Sequence, residues 1–549
     1  MKVKKKTRFL FICLFVVCLA LVGCQQDNES GSESQGKETS SANQVLKVSA
    51  NDIATINTLG SYDVPSSIVM NNIFEGLYRL DENNEPTPGI AKSYEVSDDQ
   101  LSYTFKLREG AEWSNGTPVT AHDFEYAWKR AHSSSTLSPF SYLMAPLKNS
   151  IAIQTKDHEL FDKVDELGIK ATDDYTLQVE LENPSPYFLS LLTTPVFFPQ
   201  NQEFVESQGE NYALGTDHLI YNGPFTLEDW KQGASWTYKK NKDYWGAESV
   251  AIDSIEANVI NDTATAVNMF ESGELDAIGL SAEFVDQYSS TPEYKSSLDP
   301  TVYFIRMNQQ NKYLANVNIR KALDLGWNKK DIESILNNGS LAAHFVVPKE
   351  FTKDESGKDF RAKYDGFNET NTQEATEYWN KGLKELGVKE IELELLSYDS
   401  DITKTVAQYV KNQLEKNLPG LTLNVNQQPS KQKLDLEAKQ DYELSYSGWS
   451  PDYHDPISFL EIFHTNNPYN WMNFSNKEFD QLIDAAYKET DIAKRWGNLQ
   501  EAERILIEEN AAVSPMFQAG KTTLTKTNVK GIADHPYGGN KTYKWVKIN

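Results

Sequence analysis

Carboxylates, imidazoles and thiols are the groups in this chain that could do chemistry. One cluster of them is Asp452-Tyr453-His454-Asp455, set between Pro451 and Pro456. A divalent metal needs ligands that converge on one point, and side chains adjacent in sequence mostly diverge. The same two aspartates beside prolines also suit turn capping, a common use of Asp. The eight histidines are scattered at 122, 132, 158, 218, 344, 454, 464 and 535. No Gly-x-Ser-x-Gly elbow, His-Glu-x-x-His or Cys-x-x-Cys occurs, and the glycines form no phosphate loop. The expectation is a protein that is not an enzyme and carries neither a metal nor another cofactor.

The reactive thiol is Cys24. Lys2, Lys4, Lys5, Lys6 and Arg8 precede an uncharged apolar run from Phe9 to Val22, which closes on Leu21-Val22-Gly23-Cys24. A basic start, a short apolar stretch and a small residue before the cut mark a secretory signal over 1–23. Leu-Val-Gly-Cys resembles a bacterial lipobox, in which the Cys sulfur is acylated and the chain is cleaved before it. Each buried methylene of such a chain contributes about 0.8 kcal/mol, and two or more chains hold a domain on a bilayer. Cys13 and Cys18 would leave with the leader, so no disulfide can form within the mature chain. Its stability must come from a large core. Residues 24–44 are polar and rich in Ser, Gly, Glu and Gln, which predicts a disordered tether. Removing the five basic residues of the leader from 53 leaves 48 Lys and Arg against 79 Asp and Glu, a formal −31. Nucleic acid and anionic headgroups are excluded as partners by that charge.

The elements that would position these groups come from periodicity. Leu101–Arg108 alternates around Tyr103, Phe105 and Leu107, and Thr176–Asn183 alternates likewise; both predict strands. Thr120 followed by Asp123 predicts a capped helix start leading into Phe124–His132. A helix over 373–386 stopped by Gly387, a strand Ile391–Tyr398, a helix Lys404–Leu418 stopped by Pro419-Gly420, and a strand from Leu421 predict βαβ units with a partly parallel sheet. The fold class is α/β, with antiparallel patches in the N-terminal third. No repeat and no second linker interrupts residues 45–549, which suggests domains that exchange segments.

Several blocks then resemble one family. Val64-Pro65, Phe74–Arg79 (FEGLYR), Glu112–Arg130, Tyr221–Trp230, Asn241–Gly246, Asn318–Ile332 and Ser447–Leu460 follow the order of the extracytoplasmic oligopeptide-binding proteins of peptide ABC transporters. Blocks in the right order over most of the chain are a specific signal. The resemblance implies a two-lobed, class II periplasmic-binding-protein-like fold of the three-domain peptide-binding type. Lobe I would comprise 45–74, 191–298 and 517–549, the extra domain II 75–190, and lobe III 299–516, with hinges near 299–303 and 514–519.

By the same resemblance Asp452 would grip the peptide's amino terminus. Gly448, Ser450 and Val64 would pair with its backbone, and Trp449, Tyr142 and Phe140 would lie near it. Tyr446 stands where short-peptide binders carry an Arg for the peptide carboxylate, so a fixed anionic anchor is missing and longer ligands are implied. His344 and Lys349 are weak candidates to replace it. The implied role is a lipid-anchored, monomeric extracellular component, on a Gram-positive type of surface, that captures oligopeptides. It would deliver them to a permease with cytoplasmic ATPases. The alternatives are a peptide-pheromone receptor, a binder of another solute such as a nickel chelate, and a secreted hydrolase or chaperone.

Overall fold

Residues that alternate in the sequence alternate in burial. In the computed structural model, which describes residues 44–60, 63–136, 138–354, 356–465 and 467–549, strand Ser102–Leu107 turns Tyr103, Phe105 and Leu107 inward. The expected leader 1–23, Cys24 and the tether up to residue 43 lie outside the described residues. Ser102–Leu107 joins Ala91–Val96, Thr176–Glu180 and Ile169–Asp173 in an antiparallel four-stranded sheet. The strand expected to run to Asn183 ends at Glu180. Helix Ala121–His132 begins as its sequence predicts, with the Asp123 carboxylate accepting the Thr120 N–H at 2.8 Å. That bond satisfies a backbone donor next to the first turn.

The larger sheet has eleven strands among the described residues. Its order is Leu421–Gln428, Ile391–Tyr398, Leu444–Trp449, Tyr294–Met307, Val513–Thr525, Ala277–Gly279, Val45–Ala50, Ser254–Val259, Ser235–Lys240 and Phe225–Lys231; Leu341–Ala342 pairs with Val513–Thr525 off this path. Helix Asp401–Asn417 crosses between two parallel neighbours, Ile391–Tyr398 and Leu421–Gln428, which is the expected βαβ unit. Thr372–Leu386 and its Gly387 stop also form as predicted, the glycine at φ 69°. The first strand, Val45–Ala50, and the late strand Val513–Thr525 both flank Ala277–Gly279. Segments far apart in sequence therefore share one sheet, and no linker is needed between them.

Two strands run the length of the join. Tyr294–Met307 and Val513–Thr525 pair antiparallel from Tyr294 with Leu524 to Arg306 with Val513. Their register slips between Leu298 and Val302 and again between Tyr303 and Phe304. Pro300 lies in the first slip, where a residue without an N–H costs no ladder bond. Gln518, 1% exposed, ties the slip down: its amide donates to the Asp299 and Lys349 carbonyls, each at 3.1 Å, and accepts the Lys349 N–H at 2.9 Å. On one side of this join Trp327, Trp379, Leu393 and Leu414 form a core; on the other Leu46, Phe225, Tyr238 and Ile255 do. Among the described residues no helix is long and apolar enough to cross a membrane.

Gln518→Met keeps the volume and removes three buried hydrogen bonds. The expected cost is about 2–4 kcal/mol, read as a lowered urea midpoint with an unchanged slope. An unchanged midpoint would remove Gln518 from the support of the join.

Candidate functional site

Strand Leu444–Trp449 pairs along its whole length with Val302–Met307. Its other edge pairs with Ile391–Tyr398 only at Leu444 and Ser445. Beyond Ser445 no strand of the described residues pairs with that edge, so its donors and acceptors can take another extended chain. Side chains alternate about this edge. Tyr446, 3% exposed, packs among Tyr303, Tyr398 and Phe517. Gly448 lies against the Tyr303 ring, where a Cβ would come within 2.8 Å of ring carbons, and that ring is itself stacked on Phe517 at 4.8 Å. Trp449 points the other way, onto Tyr469 at 5.4 Å.

The chain then turns at Ser450, whose hydroxyl meets that of Thr301 at 2.7 Å, and reaches Asp452. Opposite lies the first turn of helix Val64–Ile73. Asp63 caps it by accepting the Ser66 N–H at 2.9 Å, and Pro65 supplies the fixed φ favoured there. Val64 is consequently left 56% exposed. A cavity of about 350 Å3 is bounded by Val64, Ser67, Phe140, Thr301, Ser450 and Asp452, among others. A second cavity of about 550 Å3 shares Asp452 and adds Tyr142 and Trp449.

The structure thus brings Val64, Phe140, Tyr142, Trp449, Ser450 and Asp452 around two adjoining spaces. Gly448 and Tyr446 line neither; they form the strand behind. His344 and Lys349 also line neither. The His344 imidazole faces the Asn368 carbonyl at 3.2 Å and Glu369 at 3.4 Å, and Lys349 pairs with Asp365 at 2.6 Å.

Asp452 and Asp455 have different surroundings. Asp455 accepts from Arg495 at 2.5 Å and from the Ile457 N–H at 2.9 Å, a paired structural carboxylate. Asp452 has the Tyr142 hydroxyl as a hydrogen-bond donor and the Glu461 carboxylate nearby. Burial first, and then the like charge of Glu461, push its pKa up to about 7; the Tyr142 hydrogen bond opposes them. His454 turns elsewhere, its Nε2 on the Phe351 carbonyl at 2.7 Å and its ring stacked on Tyr537. The three side chains therefore point to three separate partners.

Residues that sequence reasoning missed are Glu461, Tyr187, Tyr453 and Tyr469. Glu461 is the one with a signal, an acid inside the apolar run Ile457–Phe463. It accepts from the hydroxyls of Tyr453, at 2.7 Å, and Tyr487.

The model of the bacterial extracellular solute-binding proteins, family 5, matches residues 85–471. The dipeptide-binding protein DppE of Bacillus subtilis is 34% identical, over 96% of this chain and 97% of the relative. Among solved structures, the substrate-binding domain of an oligopeptide ABC transporter from Bacillus anthracis is 41% identical with a TM-score of 0.80. It covers 92% of this chain and 99% of that one. The pheromone receptor PrgZ is 35% identical with a TM-score of 0.80, covering 92% and 100%. The fold is accordingly the α/β solute-binding-protein fold that these proteins share.

Because the folded chain binds the Asp452 proton more tightly than the unfolded chain does, ionised Asp452 destabilises the fold. The penalty is full above pH 7, shrinks as pH falls through 7, and vanishes below the ordinary carboxylate range. Asp452→Asn should therefore stabilise the ligand-free protein at pH 8 by about 1–3 kcal/mol, and by much less at pH 4. Urea unfolding at both pH values checks this; destabilisation at pH 8 would contradict the assignment of an uncompensated charge.

Proposed function

The chain belongs to the bacterial extracellular solute-binding proteins of family 5, and we propose that it captures oligopeptides between two lobes for an ABC transporter. The observation that carries this reading is a strand edge with no strand partner beyond Ser445, leading to a carboxylate that has no cation beside it among the described residues. A peptide of unspecified sequence offers a backbone and an ammonium group. The edge suits the first by β-augmentation, and Asp452 suits the second, because an ammonium would complete a charge that has no cation beside it among the described residues. Gly448, Ser450 and Val64 are the proposed backbone partners; Tyr142, Phe140 and Trp449 are the proposed walls.

The lobes are proposed as 45–74, 191–298 and 517–549 for the first and 299–516 for the second, with 75–190 as the extra domain. The long paired strands Tyr294–Met307 and Val513–Thr525 would then carry the hinge at their register slips. Ligand would stabilise the closed arrangement by binding it more tightly than the open one. Anchoring through an acylated Cys24, a monomeric state, an extracellular position at the cell membrane and delivery to permease subunits with cytoplasmic ATPases complete the proposal; no catalysis is part of it. Tyr446 is enclosed by aromatic rings and offers no cation, which favours ligands whose carboxyl end is held elsewhere or in solvent.

The likeness to a pheromone receptor supports a second reading, collection of one signalling peptide. Mass spectrometry of ligands released by denaturing the purified protein separates the two. Unrelated peptides would mean nutrient capture, a single peptide would mean sensing, and a metal chelate or sugar alone would overturn both. Asp452→Ala should weaken peptide binding at least tenfold, and acetylating the peptide's amino terminus should do the same. Wild-type affinity in that variant would refute the anchor. Since an ammonium pairs only with ionised Asp452, affinity should also fall as pH drops from 8 to 6, with proton release on binding measured by calorimetry.

A further inference from the structure

The cavity beyond Asp452 has a chemistry that the anchor alone does not use. We propose that it is a pocket for a basic first side chain, making peptides that begin with lysine or arginine the preferred ligands; this rests on the peptide reading above. If Asp452 takes the α-ammonium, the side chain on the neighbouring carbon must leave from that point. The 550 Å3 cavity adjoins it and is large enough for a long side chain.

Charge selects the kind of side chain. Glu182, Glu461 and Asp484 line the cavity with Asp452, against Lys488 as the one Lys or Arg among the described lining residues; Asp484 also faces the His464 imidazole at 3.5 Å. Glu461 is held in place by the Tyr453 and Tyr487 hydroxyls, and its carboxylate oxygens keep lone pairs for a further donor. Burial raises its pKa, as expected for a carboxylate that would gain from a cation.

The walls suit the rest of such a side chain. Tyr187 stacks on Tyr453 at 4.3 Å with 17° between the rings, and Tyr469 meets Tyr142 at 6.1 Å and Trp449 at 5.4 Å. Packed faces of this sort take the methylene stem and attract the charged head. The Trp449 indole N–H is buried and has no acceptor among the described residues, a donor ready for a ligand carbonyl. A neutral side chain of equal length would bury hydrocarbon against Glu461 and Asp484, and an acidic one would meet net negative charge.

Calorimetric titration of the purified protein, freed of co-purified ligand, tests this with three pentapeptides. They carry lysine, norleucine or glutamate ahead of four alanines. The lysine peptide is expected to bind at least tenfold more tightly than the norleucine peptide, with glutamate weakest. Glu461→Gln should shrink the lysine-to-norleucine ratio below threefold. Asp484→Asn, on a more exposed side chain, should narrow the ratio in the same direction if the buried substitution unfolds the protein. Equal or tighter binding of norleucine in the wild type overturns the pocket and leaves peptide capture standing. Failure of all three peptides to bind overturns peptide capture and the pocket together.

Discussion

The pairing of Tyr294–Met307 with Val513–Thr525 is the constraint on which the rest of the architecture depends. Those strands carry the sheet from one core to the other. A continuous antiparallel ladder would be stiff, but this one slips register twice and bridges the first slip through a side chain, Gln518, in place of backbone bonds. The slip also places Thr301 beside Ser450, so the site strand and the join are fastened at one spot. Movement proposed at the join would therefore move Asp452 relative to Val64 directly.

The site runs against the usual rule for a charge that is partly buried. Three residues after Asp452, Asp455 shows what a settled carboxylate looks like, with a guanidinium at 2.5 Å and a backbone donor. Asp452 has a tyrosine hydroxyl and a like charge instead. Folding tolerates that because a large core offsets it, and a bound ammonium would recover the lost interaction. On the proposed role, stability given up in the empty protein would become affinity in the filled one.

Much of this was legible in the sequence, for identifiable reasons. The capping residues Thr120 and Asp123, the stop at Gly387 and the strand Ser102–Leu107 are local, and local rules suffice for them. Residue order along the family-like blocks pointed to Asp452, Ser450 and Val64, which do meet around one cavity. The resemblance makes Gly448 a partner for a ligand backbone, and the structure shows in addition the Tyr303 ring filling the space a Cβ would need. Tyr187 and Glu461 meet across 274 positions of sequence, through a cavity that no periodicity describes. Only the acid's placement inside Ile457–Phe463 hinted at it.

An open strand edge is a hazard, because any extended chain can pair with it. Here the same feature is proposed as the means of binding, so something else must supply selectivity. The backbone cannot, since every peptide has one. Charge can: a chain at a formal −26 disfavours acidic partners, and a carboxylate beside the edge with no cation among the described residues would reward a chain that brings a free ammonium. A strand from the interior of another protein has no amino terminus to offer and would leave the partly buried Asp452 carboxylate without a cation among the described residues. On this argument the carboxylate does two jobs, fixing the register of a peptide and keeping longer chains off an edge that would otherwise accept them.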